Sequence, residues 1–188
     1  MADDGPTVDE LTSAGTPQAD ASASATEVRT AVVDSAIGPL SVAADDHAVV
    51  RVRFGAVDAV PDAAPGSLVA RAAVELAEYF AGTRKTFDVV PDWQLLDDAS
   101  AKVLSALVRV APFGQTVSYG ELAAAAGLND PVAARVVGQV LNANPWPVLV
   151  PCHRVVMADG SLGGFGGGVW RKEALLRHEG VLPATLFG

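Results

Sequence analysis

Ser118-Tyr119-Gly120-Glu121-Leu122-Ala123-Ala124-Ala125-Ala126-Gly127, continued by Leu128-Asn129-Asp130-Pro131-Val132-Ala133-Ala134-Arg135-Val136-Val137-Gly138-Gln139-Val140-Leu141-Asn142, is the stretch that decides the fold. Ser118 and Glu121 have the spacing of a capping box, in which the serine hydroxyl and the glutamate each satisfy a free backbone N–H at a helix start. The short helix they open ends at Gly127. Asn129-Asp130-Pro131 then supplies a turn, an N-cap and a proline at the first helical position, opening a second helix over 132–142. Two short helices joined tightly, the second with an outward Arg135, read as a helix-turn-helix. The same pattern also suits an ordinary αα-hairpin.

Working outward, Val103, Leu104 and Leu107 recur at helical spacing and predict a helix from Asp98 to Val110, with Pro112 ending it. Further upstream, Ser67 caps a helix over 67–82, with Leu68, Ala72, Leu76 and Tyr79 or Phe80 inward and Gly82 as the stop. Before a Pro/Gly-rich stretch at 61–66 lie three short apolar runs, Arg29–Asp34, Pro39–Ala44 and Ala48–Phe54, separated by turn formers. In the third, Val50, Val52 and Phe54 alternate with Arg51 and Arg53, the period of a half-buried strand. A small antiparallel sheet with a helix follows, closing near Trp93. Residues 1–27, rich in Ala, Ser, Thr, Asp and Gly without apolar periodicity, read as a disordered tail.

The net charge of −9 is unevenly spread. Residues 1–27 carry six acids and no base, residues 28–92 nine acids against six bases, and residues 93–188 seven of each. The acidity therefore sits in the tail and first half, and a neutral second half can bind phosphates weakly if its arginines share a face. No apolar run approaches the length of a membrane span, and the N-terminus lacks a basic region followed by an apolar one. One cysteine can form neither an internal disulfide nor a multi-cysteine zinc site. The expectation is a cytoplasmic chain with no membrane partner, no metal and no cofactor.

That cysteine lies in Asn144-Pro145-Trp146-Pro147-Val148-Leu149-Val150-Pro151-Cys152-His153-Arg154-Val155-Val156. A thiol reacts as its thiolate, so it needs a base, and a base needs orienting. His153 is the base and Glu179, at the end of the last helix, the orienting carboxylate. Between two strand-like runs, adjacent side chains point apart, so Cys152 and His153 are expected to communicate through a water or a bend. The glycine-rich Gly160–Gly168 loop lets backbone approach a planar ligand, with Phe165 available to stack. It lacks the Gly-Lys-Ser/Thr of a phosphate cradle. Arg154 reads as an ion-pair partner, His47 and His178 as solvated, and Trp146 and Trp170 as packing residues.

From Thr116 to Gly180 the chain resembles the O6-alkylguanine-DNA alkyltransferase family. The matching pieces are Val117–Ala123, Ala134–Gly138, Asn144-Pro145, Pro151-Cys152-His153-Arg154-Val155, Gly164-Phe165 and Arg171–Gly180; Ser35–Leu40 and Glu78–Gly82 resemble the family's first domain. The resemblance implies an α+β chain, with a small N-terminal ribonuclease H-like α/β domain (28–95) and a C-terminal winged helix-turn-helix-like domain (96–188). It further implies repair of double-stranded DNA. A monomer would bind the minor groove through Ala134, Arg135 and Gly138, with Arg135 entering the stack where the alkylated base is flipped out. Cys152, activated by His153 and Glu179, would take the alkyl group from guanine O6, and from O4 of thymine, irreversibly. Tyr119 would serve the leaving base at N3, and Asn144 would hold the turn before the active site. Val155, Phe165, Gly166 and Pro147 would contact the base and its alkyl group.

The family commonly has Tyr where Phe165 stands, and its pattern before the 98–110 helix differs from Leu96–Leu104 here. Some members carry zinc in the first domain, which the missing cysteines argue against. A lesion sensor without transfer usually replaces the cysteine, often with Trp; a regulator would need a more basic recognition helix; a cysteine hydrolase would need turnover and an oxyanion hole.

Overall fold

The computed structural model describes residues 27–57 and 64–183. The tail expected over residues 1–27 lies, Glu27 apart, outside them, as does part of the 61–66 stretch. The three apolar runs form an antiparallel meander, β1 Arg29–Val33, β2 Leu40–Ala44 and β3 Val49–Phe54, in that spatial order. Leu40, Val42 and Ala44 turn one face of β2 entirely inward. A register shift at Ala43/Ala44 pairs Ala44 with Val49, so Val49, and not the expected Val50, is the residue buried beside Val52. The bulge thus shifts only the inward position before it, and Val52 keeps its expected place.

Helix α1, Leu68–Phe80, covers that face, its start fixed by the Ser67 hydroxyl accepting from Ala70 N. Its fully buried stripe is Val69, Ala72, Leu76 and Tyr79, and the expected Leu68 and Phe80 pack, partly buried, against the same core. Each large apolar side chain of that stripe taken from water contributes about 1.5–3 kcal/mol, and Ala72 less. The outer edge of β3 is covered: Val49 N donates to Val90 O (2.8 Å), Asp92 N to Val49 O (3.0 Å) and Val52 N to Pro145 O (2.8 Å). The last of these bonds ties the segment before the cysteine to the first sheet.

Helix α2, Asp98–Val110, begins at Asp97, whose carboxylate accepts from Ser100 N at 2.7 Å, and buries Val103, Leu104 and Leu107 as expected. Helix α3, Tyr119–Ala125, carries both halves of the capping box: Glu121 N donates to Ser118 Oγ (3.2 Å) and Ser118 N to Glu121 Oε2 (2.7 Å). Gly127 takes a left-handed φ of 76° at its end. Helix α4 runs Ala133–Asn142, later than expected. Asp130 caps Val132 N at 2.9 Å, but Val132 itself sits outside helical geometry (φ −98°, ψ 0°) and has no side-chain cap. Asp130-Pro131 therefore closes the inter-helix turn, and the helix proper starts after it.

The strand-like run before Cys152 is also corrected. Val148 adopts φ 77°, a conformation rare for a β-branched residue. Val150 N folds back to Trp146 O (2.8 Å), making residues 146–150 a tight turn. After Cys152, the short β5, Val155–Val156, pairs in parallel with β4, Val117–Ser118, and helix α5, Val169–His178, closes the second half. Among the described residues no helix is long and apolar enough to cross a membrane.

Candidate active site

Cys152 opens a single 3-10 turn, Cys152–Arg154, directly after Pro151. Side chains in such a turn project about 120° apart, so the local bend separates the roles. The thiol, 7% exposed, borders two cavities, while His153 points into the interior at 0%. Asn144 braces the turn before them from both ends of its amide: Nδ2 donates to Val150 O (2.9 Å) and Oδ1 accepts from Trp146 N (3.0 Å).

His153 Nε2 lies 2.8 Å from Glu179 Oε1, with both side chains inaccessible to solvent. Burial opposes the charge on Glu179, but hydrogen bonds from His153 and Arg154 outweigh it and hold the carboxyl well below the usual carboxylate range. An ionised carboxylate only accepts, so the imidazole proton sits on Nε2. Nδ1, buried and without a hydrogen-bond partner among the described residues, is then the basic atom. Burial keeps His153 below its ordinary value despite Glu179, and pushes the Cys152 thiol up against the opposing effects of the Asn144 amide and the Lys172 charge. The resting pair is thiol and neutral imidazole. Arg154 is the ion-pair partner expected, Nε to Oε2 at 2.8 Å and Nη2 to Oε1 at 2.9 Å, with Nη1 on Ala111 O.

The smaller cavity at Cys152, about 310 Å³, is bounded by Tyr119, Gly138, Asn142 and the Gly164–Gly166 loop. Glycines at 138, 164 and 166 leave its wall free of side chains there, so backbone can approach a ligand closely. Gly138 lies on α4, whose Ala134 and Arg135 are exposed one turn earlier. Burial, then the charge of Cys152, raise the Tyr119 phenol, so its hydroxyl stays protonated. The larger cavity, about 640 Å³, continues past Cys152 and Phe165 to Pro147 and the edge of β3. Phe165 makes an edge contact with Phe54 at 5.8 Å between centroids.

Of the expected site residues, Cys152, His153, Glu179 and Asn144 come together, and Tyr119, Gly138, Phe165, Gly166 and Pro147 line the cavities. Val155 lines neither: its side chain is fully buried and its carbonyl accepts from Lys172 Nζ at 2.5 Å. Two buried neighbours of this cluster escaped the sequence reading. Lys172 is wholly buried, its ammonium also on the carbonyls of Leu162 and Gly164, and burial pulls its pKa down to about 8. Tyr79 places its hydroxyl 2.6 Å from Glu179 Oε1. His178 is packed against Tyr79 and bonded to its carbonyl (2.7 Å), correcting its reading as solvated, and Trp170 is 54% exposed, correcting its reading as a packing residue. Among the described residues no three His, Cys, Asp or Glu side chains are grouped to hold a metal ion.

Residues 98–181 match the family model described as 6-O-methylguanine DNA methyltransferase, DNA binding domain, and residues 28–91 match the ribonuclease-like domain of the same family. The chain belongs to the 6-O-methylguanine DNA methyltransferase family. This family member is 40% identical over 154 residues to the methylated-DNA–protein-cysteine methyltransferase of Mycobacterium tuberculosis, covering 78% of this chain and 89% of that one. It is 52% identical over 86 residues to the mouse protein of the same name, a match spanning 45% of this chain and only 40% of the mouse relative's length. The crystal structure of Mycobacterium tuberculosis OGT in complex with DNA superposes with a TM-score of 0.68 at 38% identity, covering 84% of this chain and 95% of that one. The two-domain α+β architecture expected of the family is thus the one found.

Proposed function

We propose that this chain is a methylated-DNA–protein-cysteine methyltransferase, a DNA-repair protein that moves the alkyl group of O6-alkylguanine in duplex DNA onto its own Cys152. The observation carrying this reading is a free cysteine at the wall of a base-sized cavity, beside a histidine whose far nitrogen is bonded to a buried carboxylate. Family membership and a relative crystallised with DNA support it.

Cys152 gives its proton, through a water, to His153 Nδ1; Glu179 and the fixed Nε2–H stabilise the imidazolium that results. The thiolate sulfur attacks the alkyl carbon, a C–S bond forms and the C–O6 bond breaks. The electron pair leaves with guanine, whose N3 takes the Tyr119 phenol proton; the phenolate is then reprotonated from solvent, and the His153 imidazolium releases the sulfur's proton to solvent, so protons balance overall. The thioether product has no route back to thiol, so each molecule acts once. O4-alkylthymine, with the same alkyl-oxygen chemistry on a smaller ring, is a second substrate of this reading.

A base stacked in a duplex cannot meet the thiol of a buried cysteine, so the nucleotide must rotate out. In this reading a monomer docks α4 in the minor groove, with Ala134 and Gly138 against the backbone and Arg135 filling the gap in the stack. The ribonuclease-like domain spans 28–95 and the DNA-binding domain 96–188, and the protein works in the cytoplasm.

Intact-mass measurement after mixing with an O6-methylguanine duplex tests the proposal, comparing wild type with Cys152→Ala. One methyl added to wild type alone, localised to Cys152 and saturating at one per molecule, is expected. Tight lesion binding without a mass change would instead make the chain a non-enzymatic lesion sensor that recruits other repair factors.

A further inference from the structure

Tyr79 stands on α1, a hundred residues before the carboxylate it touches. Its ring is fully buried between Phe80, Phe87, Phe113 and His178, with centroids 5.0–6.1 Å away. Packing accounts for the ring, and a phenylalanine would fill the same space. The hydroxyl is a separate matter, because its 2.6 Å bond to Glu179 Oε1 is the shortest on that carboxylate. The same oxygen accepts from His153 Nε2 and Arg154 Nη2. Burial, then the Glu179 charge, hold the phenol far above its ordinary value, so Tyr79 remains a donor at every working pH. Donors sharing one oxygen each reduce the charge it offers the others.

We propose that Tyr79 is a positioning residue of the transfer reaction, its hydroxyl setting Glu179 Oε1 on His153 Nε2 and limiting the negative charge which that oxygen presents to the imidazole. The ribonuclease-like domain thereby contributes to the basicity of the histidine on which the thiol depends. The inference rests on the transferase reading for its purpose, but not for its geometry.

The groups facing His153 are Glu179, Arg154, Lys172 and Cys152. Those facing Glu179 are Tyr79 from α1, His153 and Arg154 from the 3-10 turn, and the Gly114 N–H at 3.2 Å. His178 packs on the far side of the Tyr79 ring. Removing the phenol hydroxyl leaves every one of these in place and returns charge to Oε1, which favours the imidazolium. The resting pair is neutral, so the protonation of His153 sets the acid limb of the rate.

The full chain is compared as wild type, Tyr79→Phe and Phe87→Leu, the last disturbing the ring's packing but no hydrogen bond. Two quantities are followed against pH: the single-turnover rate of methyl transfer, and the ring NMR signals of His153, assigned by their loss in His153→Gln. Tyr79→Phe should raise the His153 midpoint, and with it the acid limb of the rate, by about half a pH unit or more, as fits loss of one donor to a charged oxygen. Phe87→Leu should keep the wild-type midpoint. Coincident midpoints in wild type and Tyr79→Phe, or an equal shift in Phe87→Leu, would overturn the proposal. Should Tyr79→Phe fail to fold, 3-fluorotyrosine at position 79 keeps the ring and strengthens the donor. The midpoint must then fall, and an unchanged one is equally fatal. A wild type that transfers no methyl group would sink the proposed function while leaving the NMR comparison readable.

Discussion

At Glu179 one carboxylate accepts from Tyr79, His153, Arg154 through two nitrogens, and the Gly114 N–H. Glu179→Gln keeps the shape but removes the charge, leaving Arg154 buried without a counter-ion and turning an amide N–H toward one of its former donors. Breaking a buried pair in this way costs about 3–5 kcal/mol, to be read from urea unfolding, and transfer should slow because the imidazolium loses its support. The same residues set the acid response. Glu179 is depressed in the folded state, so its contribution is fully present above the unfolded carboxylate value and is lost as pH falls. His153 is also depressed, by burial; below its unfolded value the unfolded chain binds more protons than the folded one, and stability again falls. Unfolding free energy should therefore decline from roughly pH 6.5 downward, more steeply once carboxylates titrate near pH 4. A flat profile between pH 7 and pH 4 would contradict both assignments, and His153→Gln should flatten only the upper part.

The elements show which features sequence periodicity could reveal. Helix α2 occupies the residues its spacing predicts, and the Ser118–Glu121 capping box forms with both bonds, because each depends only on neighbours along the chain. The failures share a different origin. Val148–Val150 carries the apolar content of a strand, but its backbone is set by Val52 N donating to Pro145 O, a contact no local pattern encodes, and by Asn144 bracing the turn, a role legible only through the family resemblance. Tyr79 and Lys172 were invisible as site residues for the same reason: each acts on atoms supplied by a distant segment. The Cys152–His153–Glu179 set was legible because the family motif surrounds it. Close fit between elements also makes a prediction. A Cβ on Gly167 would clash with Phe54 Cε2 and stand 2.9 Å from Phe165 Cε1, and Arg171 covers the Phe54 ring at 5.1 Å. Gly167→Ala should cost about 1–3 kcal/mol by overpacking and slow transfer by displacing Phe165. Phe54→Leu should recover part of both losses, so a double-mutant cycle by urea unfolding should give a coupling of at least about 0.5 kcal/mol. Strict additivity would mean that the loop and β3 do not bear on each other.

Across the whole molecule, charge is separated from the site it could influence. The second half, which carries the helix-turn-helix and Cys152, is balanced with seven acids and seven bases, whereas residues 1–27 hold six acids and no base. A neutral domain binds DNA without a strong counter-ion-release drive, since few phosphates are neutralised. An acidic segment on the same chain would be present at a high effective concentration and would compete with phosphate for those few bases. Removing residues 1–26 brings the net charge from −9 to −4, because five of the six acids go and Glu27 stays. The shortened chain should bind undamaged duplex more tightly at low salt. The advantage should shrink as ionic strength rises, since screening acts over only about 8 Å near 0.15 M salt. Lesion transfer should change less than non-specific binding, because the chemistry proposed at Cys152 depends on buried groups that salt reaches poorly. Fluorescence-anisotropy titrations of both chains across a salt series decide the matter. Superimposable curves at every salt concentration would show that the acidic segment does not compete for the DNA-binding face.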